Sequence, residues 1–133
     1  MGRLLSVDLG RTRVGLALSD PLKMVASPFK QVPFTDQQTL LEEICIIVSE
    51  KNVEKVIIGF PIREDGKEGQ GCKDARMFLH ALQKRNINAV LWDERYSSKI
   101  AMNILRESGI TTKNSKDKLD SLAASVLLEN YLL

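Results

Sequence analysis

Short apolar runs alternate with helical stripes along this chain, and their order predicts an α/β domain. Leu4 to Asp8 is an apolar run that ends in an acid and a glycine, the form of a buried strand where it leaves a sheet. Val14 to Leu18 is a second such run, and Leu9 to Arg13 between them is short enough for a hairpin, so these two strands should be antiparallel neighbours. A third strand is expected within Met24 to Val32, where Pro28 moves it toward a sheet edge.

From Thr35-Asp36 onward, Leu40, Leu41, Ile44, Ile47 and Val48 recur at helical spacing until about Asn52. Val56 to Phe60 is then a near-continuous apolar strand of the kind buried on both faces of a parallel sheet, and Pro61 stops it. The polar, glycine-bearing stretch Arg63 to Gly71 reads as a loop, followed by a helix from about Lys73 to Arg85. Ala89 to Trp92 makes a fifth strand running into Asp93-Glu94-Arg95. Ser97 is placed to cap a helix that Gly109 closes. Thr111 to Lys118 reads as a basic linker into a last helix, with Leu119, Leu122, Ala123, Val126 and Leu127 as its packed face.

Three strands in a meander, then helix, strand, helix, strand and two helices, give a five-stranded mixed sheet flanked by helices, with right-handed crossovers. In that order the first, fourth and fifth strands run parallel and adjacent. No repeat or second-domain boundary interrupts residues 1–133, so one domain is expected, acting as a monomer or weak homodimer.

Composition narrows the function little. The chain is 44% apolar and 27% charged, as in an ordinary globular domain, and 19 basic against 17 acidic residues do not by themselves indicate a nucleic-acid binder. Cys45 sits in an apolar helical run and reads as core. With Cys72 and the lone His80 it makes neither a disulfide framework nor a zinc ligand set. His80 has no acid or thiol at a suggestive spacing and reads as a surface or packing residue, and Trp92 and Phe60 read as core. The amino terminus lacks the apolar length of a signal peptide and no apolar run nears 18 residues, so a cytoplasmic protein with no membrane partner is expected. Met1-Gly2 with Ser6 fits a myristoylation motif only loosely.

Candidate chemistry gathers where elements end. Asp8 and Glu94 stand at the carboxyl ends of strands predicted to be parallel, where sites in open α/β sheets collect, and Asp120 lies in the first turns of the closing helix. Each acid alone has a plainer reading. Asp8 is suited to accept turn amides, Glu94 to pair with Arg95 or Lys99, and Asp120 to favour a helix amino terminus. Three acids at one end of one sheet, however, make an oxygen-only ligand set suited to Mg2+ or Mn2+, and two such ions can support in-line displacement at phosphorus without histidine or thiol. Asp117, three residues before Asp120, is a lesser candidate ligand. Asp93 should face away from Glu94 by strand alternation. Arg11 and Arg13 follow Asp8, Arg95 and Lys99 follow Glu94, and Lys113, Lys116 and Lys118 precede Asp120, so a ring of phosphate contacts around the acids is expected. Tyr96 is the one aromatic placed for a base contact.

Four segments carry a family resemblance. Asp8-Leu9-Gly10-Arg11-Thr12-Arg13-Val14-Gly15-Leu16-Ala17, Gly59-Phe60-Pro61-Ile62 with Asp65-Gly66, Asp93-Glu94-Arg95-Tyr96-Ser97-Ser98, and Lys118-Leu119-Asp120-Ser121-Leu122-Ala123-Ala124 resemble, in order, the YqgF (RuvX) family of Holliday junction resolvases. That resemblance implies an RNase H-like fold of the RuvC type and dependence on magnesium or manganese. It also implies a nuclease that processes the 5′ end of precursor 16S rRNA in ribosome biogenesis. The family's acidic positions fall on Asp8, Glu94 and Asp120. Ile62-Arg63-Glu64 and Tyr96-Ser97-Ser98 depart from the common pattern, Leu-Asn-Met and Leu-Thr-Thr respectively, and bear on which nucleic acid is preferred.

Other functions fit parts of the pattern: a four-way DNA junction resolvase, a catalytically silent RNA-binding assembly factor, or a nucleotide-binding module, since Asp8-Leu9-Gly10 beside a hairpin resembles the phosphate loop of actin-like ATPases. Those ATPases pair two such domains, and this chain has room for one.

Overall fold

The computed structural model describes residues 2–62, 65–93 and 112–132, the stretch 112–120 by its backbone alone. The elements are β1 (Arg3–Leu9), β2 (Arg13–Ser19), β3 (Ala26–Pro33), α1 (Gln37–Glu50), β4 (Val53–Phe60), α2 (Gln70–Lys84), β5 (Ala89–Asp93) and α3 (Thr112–Leu132). The strands form one sheet in the order β3-β2-β1-β4-β5. β2 is antiparallel to both its neighbours, while β1, β4 and β5 run parallel, as the element order predicts. β3 is an edge strand, consistent with prolines at positions 28 and 33, which cannot donate to a further ladder.

Strand alternation divides the core into two layers. Leu5 and Val7 of β1, Val14 and Leu16 of β2, and Val56 and Ile58 of β4 face α1 and α2, meeting Leu40, Leu41, Ile44, Cys72, Phe78 and Leu82. Leu4, Ala17 and Ile57 face the other way and meet Ala124 and Leu128 of α3. Each large aliphatic or aromatic side chain sequestered in this way contributes roughly 1.5–3 kcal/mol of burial.

Local signals set the helix ends. Asp36 caps α1, accepting Thr39 N–H at 2.8 Å and the Thr39 hydroxyl at 2.9 Å. Past the end of α1, Asn52 takes a left-handed φ of 54°, which asparagine tolerates, and its carbonyl accepts Arg3 N–H at 2.9 Å, joining the turn to β1. α2 begins three residues before the expected Lys73. Gly71 there lies so close to Pro61 that a Cβ would come within 2.8 Å of its ring, and this contact seats the first turn against the end of β4.

Three expectations are corrected. The stretch read as a basic linker is helical from Thr112, because it holds no glycine or proline to stop a helix and polarity alone does not make a loop. Of the face expected to pack, Ala123, Val126 and Leu127 are buried, and Leu119 is described by its backbone alone. The side of α3 that meets the sheet, however, carries Ala124 and Leu128, with Ser125, Tyr131 and Leu132, while Leu122, Ala123 and Val126 form a separate cluster. This helix is apolar nearly all round between Ala123 and Leu128, so its pattern could not select the sheet-facing side. Trp92 is not core: it is 37% exposed and meets Tyr131 edge to face at 5.0 Å. The helix expected from Ser97 to Gly109 lies outside the described residues.

Candidate active site

Asp8 stands one residue before the end of β1, the central strand, and is half-buried. Leu4 belongs to the layer shared with α3, and the Ser6 hydroxyl donates to the Ala124 carbonyl of α3 at 2.7 Å. Alternation therefore puts Asp8, the next residue in the series, on the α3 face. Its neighbours on that face have no side chains. Gly15 is its direct partner on β2, and the register Val7 to Ile58 brings Gly59 of β4 alongside one residue further. Cross-strand Cβ atoms normally stand about 5 Å apart, so at two buried glycines neither adjacent strand places a side chain directly beside the carboxylate.

The same hydrogen bond locates α3. Glu129 and Leu132, late in the helix, line a cavity with Lys23 to Ala26 at the end of the sheet where β1 begins, so α3 runs antiparallel to β1. Asp120 precedes Ala124 by one helical turn, about 6 Å along the axis, and Asp8 follows Ser6 by two strand residues, about 6.6 Å. Backbone positions 8 and 120 thus lie at the same end of the same layer. Position 120 falls in the third turn of α3, not the first, which removes the reading of Asp120 as a helix-terminus acid. Position 117 shares its side of the helix.

The third expected acid, Glu94, lies outside the described residues, as do Arg95, Tyr96 and Lys99. The strand leading to it is described: Val90 packs in the α3 layer and Trp92 meets Tyr131, so Asp93 faces the opposite layer, as alternation predicts. Arg11 is exposed in the β1–β2 turn, where Gly10 N–H bonds the Arg13 carbonyl at 2.9 Å. Arg13 is half-exposed on the α3 face, two residues along β2 from Gly15. Lys113, Lys116 and Lys118 lie on the first turns of α3 by backbone position. His80 is exposed on α2. Among the described residues no cluster of three acid, histidine or cysteine side chains forms a metal site, and no helix is long and apolar enough to cross a membrane.

The loop after β4 borders this end of the sheet. Gly66 adopts a left-handed φ of 84°, Asp65 accepts Lys67 N–H at 2.9 Å, and Arg76 on α2 pairs with Glu68 while its guanidinium lies 4.8 Å from the Phe60 ring centre. Hydrogen bonding from Arg76 lowers the Glu68 pKa from its ordinary value. Sequence reading missed Ser6, Gly15 and Gly59 as site residues. The available signal was a serine and glycines interrupting otherwise apolar strands.

A central strand carrying an acid near its carboxyl end, flanked by an antiparallel meander on one side and parallel strands on the other, defines an RNase H-like domain. In agreement, the fold matches Thermus thermophilus RuvC solved with a Holliday junction substrate, at a TM-score of 0.62 and 13% identity, over 98% of this chain and 94% of that one. The fowlpox virus resolvase, solved with Holliday junction DNA, matches at a TM-score of 0.56 and 16% identity, over 98% and 96%. The chain belongs to the RuvX family, described as Holliday junction resolvase, whose pattern spans residues 2–133. A Maridesulfovibrio salexigens protein, named a candidate pre-16S rRNA nuclease, is 36% identical over 98% of this chain and 97% of its own. Relatives of the same name from Koribacter versatilis and Lachnospira eligens are 32% and 34% identical, each over 98% of this chain and over 86% and 96% of their own.

Proposed function

We propose that this protein is a metal-dependent endonuclease that hydrolyses phosphodiester bonds and trims the 5′ end of precursor 16S rRNA in the cytoplasm. The observation that carries the reading is the placement of Asp8: an acid on the central strand, on a glycine floor, at the end of the sheet where α3 brings position 120. Family membership and the relatives' names supply the substrate class.

The donor set suits a divalent cation. Carboxylates at positions 8, 94 and 120 would be hard oxygen ligands, and Gly15 and Gly59 put no side chain of their own beside the first of them. Asp8, Glu94 and Asp120 would hold Mg2+ or Mn2+, which supplies charge to stabilise the pentavalent phosphorus and lowers the pKa of attacking water. Arg11, Arg13, Arg95, Lys99, Lys116 and Lys118 would grip backbone phosphates on either side and fix the register of the strand. A monomer or weak homodimer suffices, since these positions all lie within one chain.

Precursor rRNA carrying the 5′ extension, incubated with the protein and Mn2+ or Mg2+, should be cut near the mature end, and Asp8→Asn should lower the rate at least ~100-fold while binding persists. Cleavage surviving that substitution would refute the site, and absence of cleavage in the native protein would leave a silent RNA-binding factor. The family's description supports a second reading, resolution of four-way DNA junctions, so the same assay includes such a junction.

A further inference from the structure

We infer that Ser6 is a positioning residue for the acidic site: its hydroxyl sets the register of α3 against β1 and so the separation of Asp8 from Asp120. The inference rests on the metal-site reading above. Ser6 is fully buried, 118 positions from its partner, and its Oγ donates to the Ala124 carbonyl at 2.7 Å. A helix carbonyl has a second lone pair beyond its intrahelical bond, so this contact is available without breaking the helix.

What surrounds the bond explains why it matters. Around it the apolar α3–sheet contact includes Leu4, Ala17, Ala26 and Ile57 against Ala124 and Leu128, small or aliphatic groups whose burial is non-directional and changes little if the helix slides. Sliding by one residue would move position 120 about 1.5 Å along the axis and turn it by about 100°. A directional bond at 2.7 Å discriminates against that shift, and it sits one helical turn from Asp120 and two strand residues from Asp8. Two polar ties toward the other end of α3 are farther from the acids: the Ser125 hydroxyl donates to the Ala26 carbonyl at 3.5 Å, and Lys55 Nζ donates to the Tyr131 hydroxyl at 3.1 Å.

The test measures Mn2+ affinity by titration calorimetry and melting without metal, in the full chain, for the native protein, Ser6→Ala, Ser6→Cys, Leu128→Ala and Asp8→Asn. Ser6→Ala is expected to fold and to bind Mn2+ ~10–100-fold more weakly, the range seen when support behind a metal ligand is removed. Ser6→Cys, with a weaker donor in similar volume, should fall between. Leu128→Ala should melt lower yet keep its affinity within about 3-fold, because it leaves the bond in place. Native-like affinity in any folded Ser6 variant overturns the inference, as does an equal loss of affinity in Leu128→Ala. Native-like affinity in Asp8→Asn refutes the metal site itself, a separate failure.

Discussion

Arg76 grips Glu68 with both terminal guanidinium nitrogens, Nη2 at 3.1 Å, and so ties the loop after β4 to the helix that follows it. The same guanidinium lies over Phe60, the last residue of β4, so one side chain joins strand end, loop and helix. Both partners are half-exposed, which makes the clamp a local restraint and not a large source of global stability. Arg76→Ala should raise amide hydrogen exchange at residues 65–69 while leaving the melting temperature nearly unchanged. Unchanged exchange there would show that the loop holds itself.

Acid should destabilise the fold through several carboxylates of this kind. Hydrogen bonds from Arg76, Arg85 and Lys23 lower the pKa values of Glu68, Glu42 and Glu54, and the Val25 and Thr39 amides do the same for Asp20 and Asp36. A depressed folded-state pKa gives stability that is complete above the ordinary value, roughly pH 4, and is lost as pH falls through the lowered one. Melting temperature should therefore stay level from about pH 7 to 5 and fall below about 4, with the fall blunted by salt because the groups are exposed. A level profile down to about pH 3 would contradict this.

Gly15 is buried and directly opposite Asp8. Gly15→Val should cost about 1–3 kcal/mol through overpacking and should abolish cleavage while the protein remains folded. Native-like cleavage by this variant would mean that the floor beside Asp8 need not be clear.

Arg13 shares the α3 face of β2 with Gly15. Arg13→Ala should weaken nucleic-acid binding similarly across sequences and reduce the slope of log affinity against log salt by about 1, as loss of one phosphate contact does. An altered sequence preference at constant slope would instead indicate a base contact.

Tyr131 fastens the end of α3 to the sheet by the edge-on contact with Trp92 and by accepting from Lys55 Nζ. Tyr131→Ala should cost about 0.5–1.5 kcal/mol beyond the area lost and shift the emission of Trp92, the chain's single tryptophan, to the red. Emission unchanged on substitution would place the pair apart in solution.

Much of this was legible in the sequence because it depends on local order. Apolar runs ending in Asp8-Leu9-Gly10 and in Phe60-Pro61 announce strands and their ends, Asp36 announces a cap, and a meander followed by helix-linked strands leaves few topologies. The acids at positions 8 and 94 could be singled out because strand ends and the family's motifs coincide there, and Asp120 because a family motif falls on the closing helix. What the chain pattern could not decide was α3. Apolar on nearly every side and polar without a stop signal at its start, it carries no stripe that selects a seat. Its face and register follow from contacts across the sheet: small residues at Ala17 and Ala124 permit close approach, and a buried serine 118 positions away supplies direction. Periodicity describes an element's own faces, whereas which face is used depends on a surface that exists only once the sheet has formed.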